Sequence, residues 1–169
     1  VDDLLHGESK TYYKSGKLQS TVNYVNNKKQ GEFKYYYESG ELWATVNYID
    51  DLMQGEYKKY YKSGELELTL DIVDNLIQGK GTRFFKSGKL QSTVNYQNGK
   101  VQGKSYSYYY SGKLKSTVNY LNNKKDGVEI KYDEFSGQIK SKTLFYYGEK
   151  KTESKVYKKL DTFRKTLGI

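Results

Sequence analysis

Residues 7–30 read G-E-S-K-T-Y-Y-K-S-G-K-L-Q-S-T-V-N-Y-V-N-N-K-K-Q. Two stretches of this block favour extended chain. Glu8 to Tyr13 is aromatic-rich. Lys17 to Tyr24 alternates, with Leu18, Ser20, Val22 and Tyr24 on one side and Gln19, Thr21 and Asn23 on the other. Alternation with period two predicts strands. Between them Lys14-Ser15-Gly16-Lys17 reads as a short hairpin loop, with Gly16 in the left-handed conformation where a side chain would clash. After the second strand, Asn26-Asn27 are residue types that tolerate the positive φ of a two-residue turn. The block is a β-hairpin ending in another tight turn.

The block then recurs. Gly7, Gly31, Gly55, Gly79, Gly103 and Gly127 are each 24 residues apart, and Gly16, Gly40, Gly64, Gly88 and Gly112 keep the same interval. Six repeats are expected, over 7–30, 31–54, 55–78, 79–102, 103–126 and 127–151, forming an array from 1 to 151 with a cap over 152–169. The turn pair persists as Asp50-Asp51, Asp74-Asn75, Asn98-Gly99 and Asn122-Asn123. Such short connections make sequence neighbours spatial neighbours, so the expected fold is all-β: an elongated, single-layer, twisted antiparallel meander of about a dozen strands. Its stability should come from stacking like residues in columns. One column is Leu18, Leu42, Leu66, Leu90 and Leu114, and a second is Val22, Val46, Leu70, Val94 and Val118. Small Ser20, Ala44, Ser92 and Ser116 leave room for a tyrosine of the adjoining strand, while the Thr21 to Thr117 and Asn23 to Asn119 columns suggest a polar face suited to water.

Composition agrees and excludes much. Among 169 residues there are 20 Tyr, one His and no Cys or Pro, with 29 Lys plus Arg against 20 Asp plus Glu. Without Cys there are no disulfides, thiol nucleophiles or thiolate metal sites, and one His leaves no imidazole cluster. Neither a catalytic set, a metal site nor a cofactor is expected. No apolar run approaches a bilayer span and no signal peptide is visible. The chain opens on Val1, so a start methionine is expected to precede it, with a leader as an open alternative.

The unit Y-Y-K-S-G-K-L-x-S-T-V-N-Y-x-N-G-K-x-x-G, seen over Phe84 to Gly103 and more loosely elsewhere, resembles the MORN-repeat variant family. Its members are often bacterial tandem hairpins, and some are labelled YwqK-type antitoxins. The resemblance implies single-layer antiparallel hairpins, scaffolding or interaction roles, and no catalytic residues to transfer. It also implies a surface or secreted setting, with a cytoplasmic antitoxin or immunity protein, neutralising a cognate toxin by occlusion, as the alternative. The sixth repeat departs from the pattern: Asp133-Glu134-Phe135 replaces the tyrosine run, as a capping unit would require.

Differences between repeats point to use. Repeat two holds one Lys against five carboxylates and repeat three holds three against five, whereas repeat four holds five basic residues and no acid. The acidic repeats are also more apolar where Lys28-Lys29 and Lys124-Lys125 stand elsewhere: they carry Leu52-Met53 and Leu76-Ile77, and Trp43 replaces Gln19 on the expected polar face. One reading makes Trp43, Leu52, Met53, Leu76 and Ile77, ringed by Asp50, Asp51 and Asp74, a contact site for a partner protein or a second copy of the chain. The other makes them cover a sheet edge or pack under the C-terminal tail.

Tyr106, Tyr108, Tyr109 and Tyr110 among Lys104, Lys113 and Lys115 could stack on single-stranded bases. Tyrosines recur in the acidic repeats, however, so packing explains them better; nucleic acid and anionic membrane stay as distant alternatives. Ser-Gly-Lys at Ser15, Ser87 and Ser111 lacks the upstream glycine of a phosphate loop. Glu65 and Glu67 share a side of a strand, but an open ribbon would not desolvate them, and His6 reads as an exposed linker. In the tail, Val156, Leu160, Phe163 and Leu167 form a helical stripe, which predicts an amphipathic cap.

Overall fold

The computed structural model describes residues 4–151. The tail 152–169, with the expected helical cap, lies outside the described residues. The strands are β1 (Gly7–Tyr12), β2 (Leu18–Val25), β3 (Lys28–Tyr36), β4 (Leu42–Ile49) and β5 (Leu52–Tyr60), followed by β6 (Leu66–Val73), β7 (Leu76–Phe84), β8 (Leu90–Gln97), β9 (Lys100–Val101) and β10 (Gly103–Tyr108). The last five are β11 (Leu114–Leu121), β12 (Lys124–Lys125), β13 (Gly127–Tyr132), β14 (Ile139–Tyr146) and β15 (Glu149–Lys151). All fifteen form one open sheet in chain order, every pairing antiparallel. β9 continues along β8 and β12 along β11. The fold is all-β, an antiparallel meander.

Turns alternate between the two long edges of this sheet. On one edge Tyr13 N–H donates to the Lys17 carbonyl at 2.8 Å, closing the Ser-Gly loop, and Gly16 has φ +81°. On the other edge both residues of each Asn/Asp pair have positive φ, 51° and 67° at Asn26-Asn27 and 49° and 68° at Asp50-Asp51. That twist matches the strands they join.

Contacts between successive repeats are more specific than column stacking. Asp51 N–H donates to the Lys29 carbonyl at 3.1 Å while an Asp51 carboxylate oxygen accepts from Lys29 N–H at 2.8 Å. Asn27 clasps Leu5, Asn75 clasps Met53 and Asn123 clasps Val101 in the same way. Glutamines cap three of the turns: Asp50 N–H donates to Gln30 Oε1, Asn98 N–H to Gln78 Oε1 and Asn122 N–H to Gln102 Oε1, each at 3.0 Å. At the Ser-Gly edge the Tyr13 hydroxyl donates to the Tyr36 carbonyl, Tyr37 to Tyr60, Tyr61 to Phe84 and Tyr109 to Tyr132. Each is a 23-residue tie from one repeat to the next.

Two irregularities recur. At the start of each second strand one residue is inserted: Thr11 faces Ser20, yet Tyr12 faces Leu18. The inserted residues are Gln19, Trp43, Glu67, Gln91, Lys115 and Lys140. A bulge breaks strict alternation, and it turns these side chains to the Ser20 face: Thr11, directly opposite Ser20, holds Ser20 Oγ at 2.7 Å and Gln19 Oε1 at 3.3 Å. The second bulge lies within β3, where Asn23 faces Gln30 and Thr21 faces Lys34, so Val22 opposes three residues. Gly31, at φ +82°, supplies the turn in the backbone there.

The apolar core is thin. Val22, Ala44, Val46, Ile72 and Val118 retain 4–7% of their exposure. Tyr35 lies directly opposite both Ser20 and Ala44, using the room those small residues leave. The threonine column is drier than expected: Thr45, Thr93 and Thr117 are buried. Thr45 has Lys34 and Lys58 directly opposite on its two sides, and long basic side chains cover such positions with their methylene stems. Asn23, Asn47, Asn95 and Asn119 are exposed, as a wetted face requires.

Candidate functional site

The five apolar candidates do not form one patch. Successive strand residues point to opposite faces, so Leu52 and Met53 separate, as do Leu76 and Ile77. Met53 lies opposite Tyr48, and Ile77 opposite buried Ile72, both half-buried on the core face. Leu52 and Leu76 lie on the Asn/Thr face, directly opposite Ile49 and Val73. These four are exposed: Ile49 52%, Leu52 39%, Val73 49% and Leu76 46%. Ile49 and Val73, which sequence reading missed, are three residues before Leu52 and Leu76 across a two-residue turn, and that spacing could have revealed them. The quartet crosses β4 to β7 at the Asn/Asp-turn edge.

Its acidic border is part of the fold. Asp51 clasps Lys29, and Asp74 accepts a hydrogen bond from Gln54 Nε2. The Asp50 backbone N–H is capped by Gln30. The Asp51 carboxylate is thus held by a backbone N–H and the Asp74 carboxylate by a glutamine side chain, beside the quartet.

Trp43 is elsewhere. As the inserted residue of its bulge it turns to the core face, at the opposite end of β4. Its ring meets Tyr35 edge-on at 5.1 Å between centroids and Tyr37 at 6.4 Å, and Lys59 Nζ stands 5.9 Å from its centre. The expectation of Trp43 on the polar face is corrected, and the bulge is the cause. Glu67, one repeat on, uses the same geometry for an ion pair with Lys59 at 2.8 Å, with Arg83 at 3.9 Å. Its side chain is 12% exposed, so it is well covered on this open sheet. Glu65 does not share this site: it lies outside β6, exposed, with the Ser63 hydroxyl bond holding its carboxyl below the usual range. Glu129, also unremarked in the sequence, is buried where other repeats carry Val22 or Val46 partners, bound to Lys125 at 2.6 Å and Lys131 at 3.6 Å.

Charge on the Asn/Thr face reverses midway. Glu8, Glu32 and Glu56 lie opposite Asn23, Asn47 and Asp71, whereas Lys80 and Lys104 lie opposite Asn95 and Asn119. Each glutamate of this row holds the lysine two residues on, at 2.9, 3.0 and 2.8 Å, which raises the pKa of Lys10, Lys34 and Lys58. Burial pushes the Tyr57 hydroxyl pKa up on the other face. Among the described residues no group of three His, Asp or Glu side chains could hold a metal, and no helix is long and apolar enough to cross a membrane.

An array of clasped hairpins in chain order defines a tandem β-hairpin repeat protein. The MORN repeat variant family matches residues 5–26, 29–50, 53–71, 77–98 and 101–122, and the chain belongs to that family. No curated protein matches it. Among solved structures, TarM, and an S. aureus TarM mutant in complex with fondaparinux, alpha-GlcNAc-glycerol and UDP, are each 13% identical with a TM-score of 0.40. In both, 72% of this chain and 21% of the other is covered. A GtfA/B complex bound to UDP and GlcNAc is 13% identical with a TM-score of 0.27, covering 100% of this chain and 30% of that one. This chain therefore spans less than a third of each of these structures.

Proposed function

We propose that the chain is a non-catalytic protein-binding module whose contact surface is Ile49, Leu52, Val73 and Leu76 with the turn carboxylates beside them. The observation that carries this reading is placement: among the described residues, both strand residues that flank the Asn/Asp turn on the wetted face are exposed aliphatics only in repeats two and three. Repeat four carries Gln97 and Lys100 at the same positions. Apolar patches rimmed by polar groups mark contact surfaces. Trp43, Met53 and Ile77 belong to the packing of the other face and are outside this surface.

A photo-crosslinking phenylalanine derivative at Leu76 tests it, with the same group at Lys86, in the turn at the opposite edge, as control. Illumination in the native cell is expected to give a discrete adduct at Leu76 and none at Lys86. Equal smears at both positions, or none, would refute the contact surface. The surface or secreted setting, and its competitor, a cytoplasmic antitoxin, rest on the family resemblance; the gene segment upstream of Val1 decides between them.

A further inference from the structure

At each junction of repeats three positions stand side by side on the core face near the Ser-Gly edge: the inserted residue of one bulge, a residue of the next strand, and the inserted residue of the following bulge. At the second and third junctions these are Trp43, Lys59 and Glu67, then Glu67, Arg83 and Gln91, and Glu67 serves both cations. The first junction holds no charge and the fourth only Lys115. At the fifth all three are lysines: Lys115, Lys131 and Lys140. Among the described residues neither Lys115 nor Lys140 has a salt bridge, and Lys131, 55% exposed, reaches Glu129 at 3.6 Å, an acid held more closely by Lys125 at 2.6 Å. Asp133, whose charge Lys140 also reaches, already accepts from Ser136 and Phe135 N–H. Four ammonium groups, Lys125 included, thus meet two carboxylates, an excess of two positive charges. Like charges side by side destabilise a sheet, so the fold gains nothing from this cluster.

The three lysines line one open groove of about 520 Å³ together with Tyr109, Ser116 and Ser141. Ser116 lies directly opposite Lys131 on one side and Ser141 on the other. Lys115 Nζ stands 5.6 Å from the centre of the Tyr109 ring, whose hydroxyl is engaged by the Tyr132 carbonyl, so the ring offers the groove an apolar wall. We propose that this groove binds the phosphate group of a small phosphate ester. Such a group carries about −1.5 to −2 charges at pH 7 and three strong acceptor oxygens, which answers both the excess charge and the number of lysines; a carboxylate brings one charge and two oxygens. Ammonium groups act on phosphate as point charges and need no planar fork. The volume falls within the range of about 300–1,000 Å³ usual for small ligands, more than phosphate alone fills. The Tyr109 ring and the methylene stems of the lysines line the remainder, where the organic part of an ester can lie. The groove is on the opposite face from the aliphatic strip and in repeats five and six, so it stands independently of the contact surface proposed above.

Amide NMR titration of the full chain with phenyl phosphate, at constant ionic strength, tests this. Saturable shifts with millimolar affinity are expected at Lys115, Ser116, Lys131 and Lys140. Binding should be tighter than that of inorganic phosphate, which lacks the ring, and of benzoate, which keeps the ring but carries one charge. Lys115→Gln and Lys140→Gln are each expected to weaken binding about tenfold, the scale of one hydrogen bond to a charged group, while Lys14→Gln, in the first Ser-Gly loop, leaves it unchanged. Far-UV circular dichroism checks that each variant keeps its sheet. No saturable shift by tens of millimolar phenyl phosphate, benzoate or inorganic phosphate bound as tightly, or an equal loss in Lys14→Gln would overturn the proposal. So would co-sedimentation with phosphatidylserine vesicles, lost in both groove variants, by a chain that phenyl phosphate leaves unshifted, because that result assigns the lysines to a membrane surface.

Discussion

Tyr13, Tyr37, Tyr61 and Tyr109 each donate a hydroxyl to a carbonyl 23 residues on, and at the one remaining equivalent position in repeats one to five stands Phe85. Phe85 instead packs edge-on against Tyr110 at 5.3 Å. Restoring the hydroxyl adds a donor aimed at the Tyr108 carbonyl without changing the ring. Phe85→Tyr is therefore expected to stabilise the protein by about 0.5–1.5 kcal/mol, the usual net value of one hydrogen bond, as a higher urea midpoint at unchanged slope. Gly81 is the opposite case. A Cβ there would come within 2.8 Å of both Leu70 Cδ2 and Tyr96 Cε2, because those side chains close over the place where repeats two and three carry Phe33 and Tyr57. Gly81→Val is expected to cost about 1–3 kcal/mol, as overpacking does; an unchanged midpoint would show that Leu70 and Tyr96 move aside freely.

The strands depend on the two bulges as much as on alternation. Gly31 holds φ +82°, and a methyl group added there would meet nothing within 4 Å, so its requirement is conformational and not steric crowding. Gly31→Ala is expected to destabilise by about 1–2 kcal/mol, the cost of a left-handed conformation for an L-residue. D-Ala introduced by chemical ligation should restore the midpoint, an outcome that crowding would forbid. The sixth loop is built differently: an Asp133 carboxylate oxygen accepts from Phe135 N–H at 3.0 Å and from Ser136 N–H at 2.9 Å. These bonds, Ser136 foremost, hold the Asp133 carboxyl below its ordinary 3.8. A depressed folded-state value means that the turn gains stability above the unfolded pKa and loses it as pH falls through the folded one. The Ser136 amide resonance should accordingly titrate below pH 3.8, and Asp133→Asn should abolish that titration. The hairpins, their 24-residue period and both kinds of turn were legible because Gly, Asn and Asp record backbone conformation directly. The insertion at Trp43 was not, since a bulge changes which way a side chain points without demanding a residue type. Leu52 and Leu76 could be assigned from composition, but separating them from Met53 and Ile77 required the register across the turn.

At the scale of the whole array, the described residues form a single sheet in which little is global: clasps, caps and tyrosine ties each join one repeat to the next. Stability should then be a sum over repeats and their junctions. Deleting residues 79–102 removes one complete unit and leaves Gln78 followed by Gly103, just as it had been followed by Gly79. The Tyr61 hydroxyl then meets the Tyr108 carbonyl where it had met that of Phe84, and Phe85, the gap in the chain of ties, disappears. Such a protein is expected to fold with its urea slope reduced by about one sixth, since the slope follows the surface exposed on unfolding. Its midpoint should fall less than the loss of a well-tied repeat would cause. Deleting 79–90 removes half as many residues and is expected to do more harm. It merges β7 with β8, so every turn downstream moves to the opposite edge, and the clasp from Gly99 to Ile77 loses its partner. If the shorter deletion proves the more stable of the two by urea unfolding, the junctions between repeats are not what holds the array together.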